Sequence, residues 1–327
     1  MVAFVSLTWL VIGTPGCGKR TSRNDRASTA QGQGTSGLAA RFEQPRSSRA
    51  AHSASSKRSN QAGPCATMKA RGQGSAPLIR IPAGPFWMGS DTDQRDERPR
   101  QRLSLPQFWM QRHEVTWTDY CACVQAHACR PPSHHGPIGP NLPVTGLSFD
   151  DAAAYCGHIH MRLPTEREWE KAAAGPRGLR FPWGNKADCK KANYGNFQDQ
   201  GPCHGKNPGR PAPVESYPQG ASPYGIMDMA GNVWEWTTPV VAKGNDKRID
   251  DNDKQETFRA DLAVARGGSC CSVFLLPRCA NRLPLPRTYR DGDIGFRCAA
   301  NNPATQSRGT HRPASPQAKH RTTGSQP

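Results

Sequence analysis

The segment Arg266–Ala300, RGGSCCSVFLLPRCANRLPLPRTYRDGDIGFRCAA, contains the residues best suited to thiol chemistry. It holds four of the twelve cysteines, and two of them, Cys270 and Cys271, are adjacent and directly follow Ser269. Adjacent cysteines are poor disulfide partners for each other. They therefore either pair with other cysteines, or one of them is a free thiol that can act as a nucleophile or as a soft metal ligand. The choice between these alternatives determines whether the chain is an enzyme.

A second group of chemically capable residues lies in the segment GIMDMAGNVWEW. Asp228, Asn232 and Glu235 alternate there with apolar residues, and Gly231 interrupts the run. A loop of this kind can surround a hard cation with carboxylate and carbonyl oxygens, which are the ligands calcium prefers. The alternative is a polar turn whose side chains satisfy one another.

A third cluster of charged residues, RLPTEREWE, begins at Arg162. Its glutamates could serve acid–base chemistry, but Thr165 followed by Glu168 is a capping box that starts a helix. We therefore interpret this cluster as a helix N-terminus with buried Arg–Glu pairs rather than as a catalytic site.

The elements that must position these groups are short. Capping boxes predict three helices, beginning after Thr116, Ser148 and Thr165, and Gly175 is a natural end for the third. Strands are predicted at 78–81 and 86–88, and long loops rich in glycine and proline fill the remainder. The predicted fold class is α+β, a loop-rich mixed fold. Four tryptophans are expected in its core: Trp169, Trp183, Trp234 and Trp236.

The chain divides into four parts. We predict a signal peptide over 1–17, a disordered basic linker over 18–76, one folded domain over 77–300 and a disordered basic tail over 301–327. The net charge is +17, but the linker holds eleven Lys and Arg against two acids, and the tail holds four against none. Most of the excess positive charge therefore lies outside the domain. This distribution favours solvated tails, or loose attraction to an anionic surface, over nucleic-acid binding.

The first residues favour export. Val2–Ile12 is apolar, too short to span a bilayer and typical of the core of a signal peptide. The following Gly-Cys resembles a lipoprotein cleavage site, which would make Cys17 a lipidated first residue and the only route to a membrane. Secretion without an anchor is the alternative. We expect a periplasmic or cell-surface location.

The cysteine count agrees with an oxidising compartment. When Cys17 and the linker residue Cys65 are set aside, ten cysteines remain, enough for five disulfides. Cys123–Cys129 and Cys189–Cys203 are the candidates for local pairs. Zinc is disfavoured because no pair of CxxC motifs is present.

Eight motifs occur in a characteristic order. They read IPAGPFWMGS, RHEVTWTDYCACV, PVTGLSFDDAAAYC, RLPTEREWEKAA, FPWGN, YGIMDMAGNVWEW, RGGS and IGFRCA. In this order they closely resemble the sulfatase-modifying-factor family, the domain of formylglycine-generating enzymes, over about 81–300. The resemblance implies a fold derived from C-type lectins. It also implies calcium sites and the oxidation of a sulfatase cysteine to formylglycine by oxygen and copper(I).

The family's two copper-binding cysteines do not align with cysteines of this chain. The family pattern places Ser272 at the first position and the apolar run 274–276 at the second. The remaining catalytic candidates are Ser269, Cys270 and Cys271, and a shifted copper(I) pair formed by the two cysteines is one alternative. We interpret Cys270 and Cys271 instead as disulfide partners for two otherwise unpaired residues, Cys121 and Cys279.

The resemblance also assigns metal and disulfide positions. It implies that calcium is bound by the side chains of Asp228 and Glu235 and by the carbonyls of Gly231 and Val233. A doubtful second calcium site would begin at Asn193 and Tyr194. A disulfide joins Cys156 to Cys298 in the family pattern, whereas the family partner of Cys279 is replaced by Ala173.

Three functions follow from the resemblance. The first is an exported, catalytically divergent member that binds a protein or glycan ligand. The second is a copper-dependent formylglycine-generating oxidase acting on a sulfatase. The third is a relative of the non-haem iron enzymes that join sulfur to histidine derivatives. The third is disfavoured because the only histidine clusters are His134-His135 and His158 with His160.

Overall fold

The computed structural model describes residues 63–69, 76–133, 136–195, 209–239, 261–272 and 277–302. The predicted signal peptide with Cys17, most of the linker, the tail beyond residue 302, His134-His135 and Cys203 lie outside the described residues. Within the described ranges, no helix is long and apolar enough to cross a membrane.

Three helices begin where the capping boxes predict. They are α1 (Trp117–Gln125), α2 (Phe149–His158) and α3 (Glu166–Ala174). In each, the capping hydroxyl accepts a hydrogen bond from the third helical N–H, and the acidic side chain at that position accepts one from the capping residue's N–H. Gly175 ends α3 with φ of 65°, a conformation that favours glycine.

Within the residues that the structure describes, nine short strands form three small sheets. In chain order they are β1 (Leu78–Ile81), β2 (Gly84–Met88), β3 (Gln101–Leu105), β4 (Phe108–Gln111), β5 (Trp234–Thr237), β6 (Leu262–Arg266), β7 (Arg282–Pro286), β8 (Ile294–Gly295) and β9 (Ala299–Ala300). The sheet orders are β1-β4-β9, β2-β3 and β7-β6-β5-β8, and only β5 and β8 run parallel. This arrangement confirms the predicted loop-rich α+β fold.

Aromatic side chains dominate the interior. Tyr120 and Tyr155 stack at 5.4 Å between ring centroids, and Phe296 meets Tyr155 edge-on at the same distance. Trp236 lies in the same core, whereas Trp169 lies in a second core between α3 and β1–β4. Trp183 is only partly buried: it stacks on Phe181 and packs against a third, smaller cluster that contains Tyr194.

Two predicted disulfides are present. Cys156–Cys298 ties α2 to the residue before β9 across 142 positions of sequence, and Cys123–Cys129 closes a short loop at the end of α1. Cys189 is also disulfide-bonded, but its predicted partner lies outside the described residues.

The linker prediction needs a correction at Cys65. Its side chain is buried and forms a disulfide with Cys121 of α1. The side-chain amide of Gln125 donates hydrogen bonds to the carbonyls of Cys65 and Met68, at 2.7 and 2.9 Å. Residues 63–69 therefore pack on α1 as part of the folded unit. The polar composition of the predicted linker did not indicate this contact.

Candidate functional site

The loop that follows β6 makes a tight turn next to α3. Gly267 and Gly268 have φ of 95° and 74°, and a Cβ on Gly267 would lie 3.0 Å from the Trp169 ring. Glycine is needed at this position both for the backbone angle and for the close approach. The turn places Ser269 and the residues after it beside the segment that leads into β8.

Two serines and a carboxylate meet at this loop. Ser269 Oγ donates a hydrogen bond to Asp293 Oδ2 at 2.7 Å, and Ser272 Oγ lies 3.4 Å from Ser269 Oγ. Ser272 Oγ also accepts from the Ser269 N–H at 2.9 Å. Burial raises the pKa of the Asp293 carboxyl to about 6, although the hydrogen bond from Ser269 opposes this rise. The sequence singled out Ser269, but it gave no signal for Asp293 beyond its place directly before the IGFRCA motif.

Asparagine at position 293 should alter the pH dependence of stability. An acid whose folded pKa is raised contributes stability that is present near pH 4 and is lost as the pH rises through about 6. Asp293→Asn keeps an acceptor for Ser269 but cannot ionise. We expect the free energy of unfolding of this variant, relative to wild type, to increase by about 1–3 kcal/mol between pH 4 and pH 8. Urea unfolding at the two pH values measures this increase. A gain no larger than that of the exposed control Asp96→Asn would contradict this prediction.

Cys270 is a buried free thiol. Its N–H donates to the carbonyl of Asn232, and its side chain has no exposed surface. Burial, followed by the negative charge of Asp293, raises the pKa of the Cys270 thiol well above its usual range. Such a thiol is protonated at neutral pH, so it is a poor nucleophile and a poor metal ligand.

The adjacent Cys271 is disulfide-bonded. Its sulfur lies 3.4 Å from that of Cys270 but is not bonded to it. The predicted pairing of these two residues with Cys121 and Cys279 was wrong, because Cys121 bonds to Cys65 and Cys279 is free.

Cys279 lies away from the serine loop. It is fully buried in the second core together with Ala173, which replaces its expected partner. Burial raises the pKa of the Cys279 thiol well above its usual range, and the charge of Glu170 adds to this effect. A pair of thiolates that could hold copper(I) is thus not formed at the RGGS loop in the part of the chain that the structure describes.

The predicted calcium loop is occupied by an internal ion pair. Glu235 Oε1 accepts from Arg297 Nη2 at 2.7 Å, and its Oε2 accepts from Arg297 Nε at 2.7 Å and from Trp169 Nε1 at 2.8 Å. Glu235 and Arg297 are both fully buried. The carboxylate assigned to calcium is therefore already neutralised by a guanidinium, so this arrangement does not fit a calcium ligand.

The other predicted calcium residues also have protein partners. Asp228 has φ of 60°, and its Oδ2 accepts from the Glu215 N–H at 2.7 Å. Burial raises the pKa of Asp228, and it raises that of the neighbouring Glu114 further. The N–H of Gly231 donates to Gly267, and Val233 is buried.

The predicted second site also has protein partners. The side-chain N–H of Asn193 donates to the Arg210 carbonyl at 2.9 Å, and the backbone carbonyl of Asn193 accepts from the Asn232 N–H. The side-chain oxygen of Asn193 is buried without a hydrogen-bond partner among the described residues, and Tyr194 is fully buried. No group of three or more His, Cys, Asp or Glu in the described ranges could hold a metal ion. Calcium binding stays a prediction that these contacts do not favour.

The glutamates of α3 have structural partners, as the sequence indicated. Glu168 forms two hydrogen bonds with Arg162, at 2.6 and 2.7 Å. Glu166 and Glu170 both pair with Arg266 of β6, and all three are buried. These ion pairs join α3 to the strand that leads into the serine loop, so they position the site.

The sequence profile of the sulfatase-modifying factor enzyme 1-like domain matches residues 65–302. The chain belongs to the sulfatase-modifying-factor family. The match includes Cys65 and therefore the segment that packs on α1. Within this family, the mouse formylglycine-generating enzyme is 31% identical over 282 residues, covering 69% of this chain and 75% of the mouse protein. Hercynine oxygenase of Mycolicibacterium smegmatis is 31% identical over 243 residues, covering 58% of this chain and 53% of that protein.

Solved structures share the fold. PvdO from Pseudomonas aeruginosa superposes with a TM-score of 0.56 at 23% identity, covering 69% of this chain and 94% of PvdO. Treponema denticola variable protein 1 gives a TM-score of 0.53 at 19% identity, covering 69% of this chain and 95% of that protein. These likenesses confirm the fold expected for the sulfatase-modifying-factor family.

Proposed function

We propose that this chain is an exported member of the sulfatase-modifying-factor family that binds a protein or glycan ligand and does not generate formylglycine. The observation that carries the proposal is the state of the two cysteines after Ser269. Cys270 is a fully buried thiol with a raised pKa, and Cys271 is disulfide-bonded. Neither residue can offer a thiolate to copper(I) without rearrangement.

The side chains of the serine loop argue against redox chemistry there. Where the family pattern places its first catalytic cysteine, this chain has the buried Ser272, whose hydroxyl serves the turn by accepting from the Ser269 N–H. Asp293 accepts from Ser269 and completes a small polar cluster. Ser269 and Ser272 are buried and bonded within the protein, so the cluster shapes the loop, and its hydroxyls and carboxylate have no redox chemistry of their own.

The disulfides support export. Three disulfides join described cysteines, and Cys189 and Cys271 are bonded as well. Such a set forms and persists in an oxidising compartment. With the apolar N-terminal segment, this favours a periplasmic or cell-surface protein, anchored if Cys17 is lipidated.

The second candidate is the activity that names the mouse relative, the generation of formylglycine, with a sulfatase as substrate. The identity of 31% favours it. The burial of Cys270 and the bonding of Cys271 argue against it, because copper(I) chemistry of this kind needs two accessible thiolates. We include calcium at the Asp228 loop in neither candidate function, because Asp228 and Glu235 already accept hydrogen bonds from protein groups.

Differential alkylation tests the proposal. The native protein is labelled with a thiol reagent, then unfolded without reduction and labelled with a second reagent, and mass spectrometry assigns each cysteine. We expect Cys270 and Cys279 to take only the second label and Cys271 to take neither. Rapid native labelling of Cys270 and Cys271, together with copper(I) binding lost in Cys270→Ser but kept in Cys279→Ser, would overturn it.

A further inference from the structure

A cavity of about 390 Å³ lies between the β2–β3 connection and the C-terminal end of α3, away from the serine loop. Residues 89–93 form one wall, residues 177–180 form another, and Arg278 lies at its base. Its volume falls within the range of about 300–1,000 Å³ that is typical of small-ligand sites. The cavity is open to solvent, so a ligand could enter without a change in the fold.

The base of the cavity is fixed by buried ion pairs. Arg278 pairs with Glu97, and both side chains are buried. Glu170 accepts from the Gly89 N–H at 2.5 Å through Oε1, and its Oε2 pairs with Arg266. These interactions hold the walls in place, and an arginine balances the charge of each glutamate.

The acidic groups at the rim are also satisfied. Asp93 accepts from the Ser90 hydroxyl at 2.9 Å and from Arg180 Nη2 at 2.6 Å. Asp91 Oδ1 accepts from the Arg100 N–H at 2.9 Å. Each carboxylate that lines the cavity therefore already accepts at least one hydrogen bond from the protein.

The hydrogen-bond donors at the rim of the cavity outnumber the acceptors that pair with them. Arg100 Nη2 donates to the Arg177 carbonyl at 2.9 Å, and its guanidinium lies 4.8 Å from the centre of the Trp87 ring. Neither contact supplies a negative charge. The exposed Arg177 guanidinium has no acceptor among the described residues. The Asn185 Oδ1 accepts from the Arg180 N–H, whereas its amide N–H groups donate to no described residue.

A glycine turn brings the backbone after Arg177 close to the Arg100 guanidinium. Gly178 has φ of 63°, and a Cβ there would lie 2.7 Å from Trp87 Cβ and 3.3 Å from Arg100 Nη2. Only glycine allows the chain after Arg177 to approach Trp87 and Arg100 this closely. Both arginines line the cavity, and the Arg100 guanidinium is held against the Arg177 backbone before any ligand arrives.

We propose that this cavity binds the oxyanion group of a small ligand, a carboxylate, sulfate or phosphate, with Arg100 and Arg177 as its principal contacts. Guanidinium groups match such oxyanions in charge and in their forked donor geometry. The inference goes beyond the proposed function by assigning a ligand class to a site separate from the serine loop. Because its test measures anion binding and not thiol chemistry, the two proposals fail separately.

Anion titration of the full chain tests this inference. Sodium acetate, sulfate and phosphate are titrated in turn against chloride at constant ionic strength. Binding is followed by NMR of the arginine Nε–H and tryptophan indole N–H groups. We expect saturable binding of at least one anion, and the order of affinities identifies the preferred oxyanion. The double variant R100Q/R177Q should weaken it at least about tenfold, the effect of losing a charge-assisted hydrogen bond.

The matched control is R80Q/R130Q, which removes the same charge from two exposed arginines outside the cavity. We expect the anion affinity of this control to stay within about twofold of wild type, because the substitutions alter only the electrostatic field of the whole protein. Equal weakening in both double variants, or no saturable binding of any of the three anions, would overturn the inference. Thermal unfolding of both variants checks that each is folded.

Discussion

Replacing Arg297 with methionine is expected to reduce the free energy of unfolding by at least about 3–5 kcal/mol at neutral pH, the usual cost of removing one partner from a buried ion pair. Arg297 is fully buried and forms two hydrogen bonds with Glu235. It also donates to the carbonyls of Gln111, Arg112 and Met227. The variant therefore leaves a buried carboxylate without a counter-ion and leaves carbonyls without donors.

Urea unfolding at neutral pH measures this loss. Arg112→Met is the control, because the Arg112–Glu215 pair is 41% and 36% exposed and its loss should cost no more than about 1 kcal/mol. Equal costs for both variants would show that the buried pair does not stabilise the fold.

Removing the Cys156–Cys298 disulfide is the second change with a large expected effect. The bond closes a loop of 142 residues, whereas Cys123–Cys129 closes one of 6. Loop-closure entropy in the unfolded chain predicts stabilisation of about 5 kcal/mol for the long loop and about 2 kcal/mol for the short one. All four cysteines are buried, so the cavities left by alanine are comparable.

Urea unfolding of C156A/C298A and C123A/C129A measures the two effects under the same conditions. We expect the first double variant to lose about 3 kcal/mol more than the second, the difference between the two entropy terms. The long bond also joins α2 to the segment after Arg297, so its loss should loosen the region around the serine loop. A smaller loss for C156A/C298A than for C123A/C129A would contradict this account of the disulfides.

Local features of the fold could be read from the sequence. The capping boxes at Thr116, Ser148 and Thr165 specify helix starts because the interacting groups are three residues apart. The Cys123–Cys129 disulfide was predictable because its two cysteines are only 6 residues apart. Such contacts depend little on the rest of the chain.

Long-range partners were not predictable in the same way. Glu235 was assigned to calcium from its loop, but its charge is balanced by Arg297, 62 residues later. Cys65 was placed in the linker because its neighbours are polar, yet its partner Cys121 is 56 residues away. Nothing in the local pattern reveals which distant charge or sulfur will meet a given side chain in the core.

The position of the candidate site was predictable from the sequence, but the burial and the pKa of its free cysteine were not. The RGGS motif located the loop, and the spacing after it predicted that the family's cysteine pair is absent. The sequence alone could not reveal that Cys270 is buried with a raised pKa, since this depends on the packing of Asn232 and Asp293 around it.

The most direct test of the central claim is oxidation of a sulfatase-derived cysteine peptide by the copper(I)-loaded full chain in the presence of oxygen, followed by mass spectrometry. We predict no formylglycine above the level produced by copper(I) without protein, and the same result for Cys270→Ser. Copper-dependent conversion of the peptide that is lost in Cys270→Ser would contradict the claim that this member of the sulfatase-modifying-factor family is a binding protein.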